Sequence, residues 1–164
     1  MPEESDVKKP DTEQEQQHKR DVSASVICVR AASVIVLQGD QVLMVKRRRP
    51  PARNLWSFPG GKMEGRESPA ETATREALEE TGLTITLLGT LGTNTSTIPA
   101  TTKSAAYQFE INVFTGFVSA GTLCAGDDAE EARYIHFNDV ANYETTEGAR
   151  AWIEKARKFH AGLK

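Results

Sequence analysis

The segment from Gly61 to Leu83, GKMEGRESPAETATREALEETGL, constrains the fold more than any other, because both ends of a helix can be read from it. Ser68 is a good N-cap residue, Pro69 fits the first helical position, and Glu71 completes a capping box. The sequence therefore predicts a helix that begins at Pro69.

The same helix is predicted to end at about Thr81. Gly82 can adopt the left-handed conformation that closes a helix, which would place Leu83 over Leu78 in a Schellman ending. At about 100° per residue, one side of the helix is apolar and a neighbouring side is acidic. The apolar side, which we expect to face the core, consists of Ala70, Ala73, Ala77 and Leu78, and the acidic side consists of Glu76, Glu79 and Glu80.

Glutamates on one side of a helix repel one another, and each pair at i, i+3 or i, i+4 costs about 0.2–0.5 kcal/mol on an isolated helix. A hard divalent cation reverses that interaction, because Mg²⁺ and Mn²⁺ bind carboxylate, phosphate and water oxygens. Arg75 lies beside the cluster and can pair with Glu79 one turn on or with Glu71 one turn back. The alternative is a solvated acidic surface without a ligand.

This segment resembles the Nudix box, the signature of the Nudix hydrolases, at every position. The flanking sequence from about residue 25 to residue 137 is similar to the family more loosely, in its order of strands. The resemblance implies an α/β fold, namely an α/β/α sandwich with a mixed central sheet between helices. The matching residues are Gly61, Glu67, Arg75, Glu76, Ala77, Glu79, Glu80, Gly82 and Leu83.

The resemblance also implies a site for Mg²⁺, or Mn²⁺, that serves hydrolysis of a phosphoanhydride. Glu79 and Glu80 are expected to be direct metal ligands. Glu76 is either a third ligand or the residue that takes the proton of the attacking water. Glu67 is expected to bind the metal through water or to steady the loop, and Arg75 to orient the glutamates.

Two further metal contacts are implied outside the box. The run WSFPGG, residues 56–61, is similar to the W-x-FPGG run that precedes the box in the family, where the carbonyl at the position of Gly60 helps to bind metal. Family members also use a carboxylate after the box. Glu131 is the first candidate here and Glu130 the second, and a plain surface role stays open for both.

Substrate contacts are predicted from a basic run and from one proline. Arg47, Arg49 and Arg53 lead into the box, so they either face substrate phosphates or form a solvated strand end. Pro99, sixteen positions after Leu83, resembles the pattern of Nudix pyrophosphatases that act on ADP-ribose and nucleotide sugars. The aromatic residues that either stack on a base or belong to the core are Trp56, Tyr107 and Phe109, and for Trp56 we favour the core.

The resemblance therefore favours a nucleoside diphosphate linked to another group as the substrate, either ADP-ribose or a nucleotide sugar. One alternative is a MutT-like pyrophosphatase of normal or oxidised nucleoside triphosphates. Another is a Nudix module that binds a nucleotide without hydrolysing it. Such modules usually lose box carboxylates, whereas this chain keeps all of them.

Composition limits the partners. With 164 residues, 38% hydrophobic and 26% charged, the chain is typical of one soluble domain. A net charge of −3 argues against a nucleic acid polymer, and no segment is apolar enough for a membrane span or a secretion signal. Cys28 and Cys124, which we expect to be buried, fit a reducing compartment, and we predict the cytoplasm. The resemblance makes a homodimer a further expectation.

The remaining chain divides simply. Residues 1–22 are predicted to be a disordered tail and residues 23–164 the Nudix domain. His136 is interpreted as structural, and His160 receives no role. The other predicted elements are a hairpin of strands 25–37 and 41–46 around Gly39 and Asp40, strands 83–91 and 107–118 separated by a long loop at 92–104, a strand ending at 137, and an amphipathic helix from 147 to 160.

Overall fold

Seven strands and two helices make up the described part of the chain, which in this computed structural model comprises residues 26–126 and 128–163. The predicted tail, 1–22, and the predicted domain boundary at residue 23 lie outside the described residues. In chain order the elements are β1 (Val26–Gln38), β2 (Gln41–Arg47), β3 (Trp56–Ser57), β4 (Gly60–Lys62), α1 (Pro69–Thr81), β5 (Leu83–Ile98), β6 (Ala106–Gly121), β7 (Ala129–His136), a 3₁₀ turn (Val140–Asn142) and α2 (Ala149–Ala161).

The strand β1 lies at the centre of the sheet. It pairs in parallel with β6, from Val26 opposite Ala106 to Val36 opposite Gly116. It also pairs antiparallel with β4 and, across the turn at Gly39, with β2. The strand order is β3-β2-β1-β6-β5, with β7 paired to β2, so the sheet is mixed and the predicted hairpin is confirmed.

One helix packs on each face of this sheet. On one face, Ala73 and Ala77 of α1 pack against Ala32 and Val34 of β1. On the other face, Ile153 of α2 belongs to the core cluster that is built around β1 and β2. The predicted α/β/α sandwich is confirmed. Neither helix of the described chain has the length and apolar character needed to cross a bilayer.

The predicted long loop between the strands at 83–91 and 107–118 was wrong. The strand β5 continues to Ile98, and its last residues pair with β6 as far as Ile98 opposite Tyr107. This segment is rich in threonine, whose β-branched side chain favours strands even where it is exposed. Only residues 99–105 connect the two strands.

The beginning of α1 is as predicted, with Ser68 as N-cap and a complete capping box to Glu71. Its end differs. The N–H of Gly82, at φ 69°, donates to the Leu78 carbonyl at 2.8 Å, whereas the N–H of Leu83 donates to the Thr81 hydroxyl. This is the simpler left-handed ending and not a Schellman motif.

The buried face of α1 also differs from the prediction. Leu78 is 50% exposed, while Thr72 and Thr81 are completely buried. Both threonine hydroxyls have partners, Thr72 donating to the Glu67 carboxylate and Thr81 to the Ala77 carbonyl. Because these hydrogen bonds satisfy the hydroxyls, threonine can take a place that the apolar pattern assigned to leucine.

The helix α2 begins two positions later than predicted, after Gly148 in the left-handed region with φ 77°. Ala149, Ile153 and Ala156 are buried as the periodicity predicts. Near its end, His160 shares a hydrogen bond with the buried Thr115 of β6, with 2.8 Å between Nε2 and Oγ1. Burial lowers the pKa of His160.

Both cysteines are free and exposed, so the expectation that they are buried was wrong. Cys28 lies in the first half of β1, before the part that α1 covers. Cys124 lies in the connection between β6 and β7. Neither cysteine belongs to a core cluster, because the buried residues that β1 contributes to these clusters begin at Ala32 and the described residues of the connection between β6 and β7 contribute no buried core residue.

Candidate active site

Glu80, in the last turn of α1, is only 5% exposed. Its Oε2 accepts a hydrogen bond from the Gly60 N–H at 2.9 Å, which joins the helix to β4. Burial raises the pKa of the Glu80 carboxyl to about 7, and the negative charge of Glu76 adds to this rise, while the Gly60 N–H and the charge of Arg47 oppose it. Glu80 therefore titrates near neutral pH.

Arg75 connects the other carboxylates of the box. Its Nε lies 2.6 Å from Glu67 Oε1, and its Nη1 lies 3.0 Å from Glu76 Oε1 and 3.1 Å from Glu79 Oε2. Its Nη2 donates to the Lys62 carbonyl at 3.1 Å. Of the two pairings considered from the sequence, the one with Glu79 is present. One guanidinium thus fixes three carboxylates and the end of β4.

Both oxygens of the Glu67 carboxylate accept hydrogen bonds from the protein. The hydrogen bonds from Arg75, the Glu64 N–H and the Thr72 hydroxyl lower the pKa of Glu67 to about 2. The side chain is therefore ionised at any physiological pH. This arrangement steadies the loop that leads from β4 to α1.

The two glycines of β4 allow close contact on both sides. A Cβ at Gly61 would overlap with the Glu76 carboxylate, and a Cβ at Gly60 would overlap with the Ala32 carbonyl. Burial raises the pKa of Glu76, because the carboxylate is held against this strand. Any side chain at Gly61 would displace Glu76.

A divalent cation fits this donor set by its chemistry. Glu76, Glu79 and Glu80 offer the carboxylate oxygens that Mg²⁺ and Mn²⁺ prefer, and the raised pKa values of Glu76 and Glu80 reflect the burial of their carboxyl groups. Among the described residues, however, no three acidic, histidine or cysteine side chains converge at metal-binding positions. One oxygen of each glutamate is bonded to Arg75 or Gly60, and a shared cation would have to bring the three carboxylates together.

The predicted basic residues lie at different places. Arg47, at the end of β2, influences the charge state of Glu80, and its Nε is buried without a hydrogen-bond partner among the described residues. Arg49 is exposed and pairs with Asp128 at 3.0 Å. Arg53 lies exposed before β3. Of the three, Arg47 is the one that the structure brings to the glutamates.

The two candidate carboxylates after the box lie beside basic side chains. Glu131 Oε1 is 3.6 Å and Glu130 Oε2 3.9 Å from Lys46 Nζ, and Glu131 also pairs with Arg133. Among the described residues of this region, Asp128 carries a charge that raises the pKa of Glu80. Sequence reasoning passed over Asp128, although its position in the turn before β7 was a usable signal.

The aromatic residues considered from the sequence lie on the α2 side of the sheet. Trp56 is buried and makes an edge contact with Tyr143, so its interpretation as core is confirmed. Tyr107 and Phe109 stack on each other. Together with Ile111 they occupy alternate positions of β6, so all three share one face, and Ile111 packs on the α2 side of the sheet. They therefore lie on the face opposite the glutamates. Pro99 is exposed, directly after β5.

Comparison with known proteins agrees with this architecture. The chain is 33% identical over 67% of its length to the "ADP-ribose pyrophosphatase" of Methanocaldococcus jannaschii, of which it covers 63%. It is 36% identical over 63% of its length to a "putative 8-oxo-dGTP diphosphatase" of Bacillus subtilis, of which it covers 62%. The match thus spans less than two thirds of either relative.

A solved Nudix hydrolase from Nitrosomonas europaea shares the fold, with a TM-score of 0.67 at 21% identity, over 82% of this chain and 89% of that one. The family model of the NUDIX domain matches residues 29–156, which is most of the chain and includes every site residue described above. The sequence motif, the sandwich and these matches agree. The chain belongs to the Nudix family.

Proposed function

We propose that the chain is a metal-dependent pyrophosphohydrolase that cleaves the phosphoanhydride of a nucleoside diphosphate linked to another group. The observation that carries the proposal is the burial of Glu80 beside Glu76, with a pKa raised to about 7. Burying a carboxylate that lacks a charge partner is costly, so such an arrangement is typical of functional sites.

In this proposal each residue of the site has a distinct task. The Gly60 N–H holds Glu80, and Arg75 holds Glu76 and Glu79 in position. Glu79 and Glu80 bind the cation, and Glu76 either binds it as well or takes the proton of the attacking water. When bound, Mg²⁺ or Mn²⁺ neutralises phosphate oxygens and lowers the pKa of water.

Residues around the three glutamates are proposed to add contacts to the cation and to the substrate. The carbonyl of Gly60 and a water bound to Glu67 are proposed as further metal contacts. Asp128, whose charge acts on Glu80, is favoured over Glu131 as the acid from outside the box. Substrate phosphates are proposed to contact Arg47, Arg49 and Arg53. The group attached to the nucleoside diphosphate is proposed to contact Pro99.

ADP-ribose or a nucleotide sugar is the substrate we favour. Support comes from Pro99 and from the name of the relative in Methanocaldococcus jannaschii. A MutT-like pyrophosphatase of nucleoside triphosphates is the second candidate, supported by the name of the relative in Bacillus subtilis. The position of Tyr107 and Phe109 on the opposite face speaks against base stacking by these two rings.

The test is product release from a panel of ADP-ribose, nucleotide sugars, diadenosine polyphosphates, and normal and oxidised nucleoside triphosphates, with Mg²⁺ or Mn²⁺. Glu79→Gln should abolish turnover, whereas Glu147→Gln, an exposed glutamate before α2, should leave it unchanged. Leading turnover of triphosphates would favour the second candidate. Metal-independent binding of ADP-ribose without any product would indicate a binding module instead.

We further propose that the chain works in the cytoplasm and forms a homodimer. Two free, exposed cysteines are compatible with a reducing compartment, because they would be prone to oxidation outside it. Fluorescence of a tagged chain in its own cell tests the compartment. Sedimentation at several concentrations tests the dimer.

A further inference from the structure

A cavity of about 470 Å³ lies between the first half of β1 and the loop that joins β4 to α1. Arg30, Lys62, Arg66 and Glu67 contribute to its lining. Ligand pockets typically measure about 300–1,000 Å³, so the cavity can hold a sugar or a sugar phosphate.

The cavity is cationic. Arg30, Lys62 and Arg66 make no ion pair with any acid of the described residues. Glu67, the acid in the lining, has both oxygens bonded to Arg75 and does not neutralise them. Glu110 lies in register with Arg30 on β6 without forming an ion pair with it. An anion that enters the cavity would therefore meet three cationic side chains that are not engaged in an ion pair with a described acid.

The cavity adjoins the glutamate site. Arg30 precedes Ala32 by two positions on β1, so both side chains lie on the face that α1 covers. The Arg30 carbonyl accepts a hydrogen bond from the Met63 N–H at 3.0 Å, and the neighbouring Lys62 carbonyl accepts one from Arg75. The loop that Arg75 fixes is thus one wall of the cavity.

We propose that this cavity binds an anionic substituent, a phosphate or a carboxylate, on the group attached to the pyrophosphate, with Arg30 and Arg66 as the residues that determine this specificity. The inference rests on the proposed function, since it assigns one end of the substrate. Guanidinium groups bind both anions through paired N–H donors, which selects them over neutral hydroxyl groups.

Two matched pairs of compounds test the inference. UDP-glucuronate carries a carboxylate where UDP-glucose carries a hydroxymethyl group, and ADP-ribose 1″-phosphate carries one phosphate more than ADP-ribose. Dissociation constants are measured by calorimetry without divalent cations, and kcat and KM with Mg²⁺. We expect the anionic member of at least one pair to bind about tenfold more tightly, with the difference in KM rather than kcat.

Arg30→Gln and Arg66→Gln should each remove most of that preference. Arg150→Gln, an exposed arginine on α2, is the matched control and should keep the preference. Equal affinity for both members of each pair, or a preference that survives both variants, would overturn the inference even if turnover is normal. Preferential binding without any turnover would instead overturn the proposed function and keep the anion site. The pair of compounds that shows the preference identifies whether the cavity binds a carboxylate or a phosphate.

Discussion

The two helices are each 13 residues long and cover opposite faces of one sheet, yet they bury different chemistry. The helix α2 buries Ala149, Ile153 and Ala156, which are all apolar. The helix α1 buries Ala73 and Ala77 together with polar residues, namely Thr72, Glu80 and Thr81.

Within one sandwich, the α2 side therefore provides apolar packing and the α1 side carries the buried polar groups of the candidate site. Apolar burial on the α2 side stabilises the fold without further conditions. The polar residues on the α1 side require partners, and Glu80 has a neutral N–H as its hydrogen-bond donor in place of a cation. The buried carboxylate of Glu80 therefore lowers the stability of the fold, and a bound cation would stabilise its charged form.

The largest effect is expected for Glu80→Gln, which keeps an acceptor for the Gly60 N–H but removes the charge. We expect kcat to fall about 100- to 10,000-fold, as for other essential ionisable groups. The free energy of unfolding at pH 8 should stay the same or increase, because a buried charge is removed. Glu154→Gln on α2 is the control. Retained turnover in the Glu80 variant would remove Glu80 from the site.

The reverse result is expected for Ile153→Ala on α2. Because Ile153 is buried in the core cluster, the free energy of unfolding should fall by about 2–5 kcal/mol, measured by urea denaturation. Turnover per folded molecule should be unchanged. Leu78→Ala, on the exposed part of α1, should change stability by less than about 0.5 kcal/mol. A large loss at Leu78 would show that the α1 face is buried in solution.

The response to pH should also differ between the faces. Folding raises the pKa of Glu80 from 4.5 to about 7, so the folded state binds more protons between these values and stability falls as pH rises through them. In metal-free buffer we expect a loss of up to about 3 kcal/mol relative to Glu80→Gln. Mg²⁺ should reduce it. Identical pH profiles for both proteins would contradict the raised pKa.

The pKa shift of Glu67 has the opposite sign to that of Glu80. Its pKa is lowered from 4.5 to about 2, so its stabilising effect is present above pH 4.5 and is lost as pH falls toward 2. Comparison with Glu67→Gln over that acidic range isolates this effect. Glu80 thus lowers stability as pH rises toward 7, and loss of the Glu67 charge lowers it as pH falls toward 2.

The smallest effect concerns the beginning of each helix. Ser68 caps α1 through its side chain, whereas α2 begins after Gly148 without a side-chain cap. Ser68→Ala should therefore lower the free energy of unfolding by about 1 kcal/mol. Glu147→Ala, before α2, should change it by less than about 0.5 kcal/mol. Equal losses at both positions would mean that the capping box contributes nothing specific.

Features that depend on neighbouring residues could be predicted from the sequence. The start of α1 follows from Ser68, Pro69 and Glu71, which lie within one turn, and Ser68 and Glu71 are hydrogen-bonded to each other. The pairing of Arg75 with Glu79 follows from their spacing on one helix. Both remain the same in whatever tertiary structure surrounds them.

Features that depend on distant residues could not. Leu78 is exposed because the sheet covers a different side of α1, which periodicity alone does not specify. The extension of β5 depends on β6 being available as a partner. The hydrogen bond between His160 and Thr115 also joins residues that are far apart in the chain.

The central position of β1 has a consequence for the order of folding. This strand leaves the ribosome before the others described here, yet its longest partner, β6, follows about eighty residues later, as for Ile35 and Thr115. Parallel pairing over such a separation requires a costly loop closure, whereas β5 and β6 meet across a short connection. The hairpin of β5 and β6 can therefore form before it pairs with β1, and the middle of the sheet is completed late in synthesis.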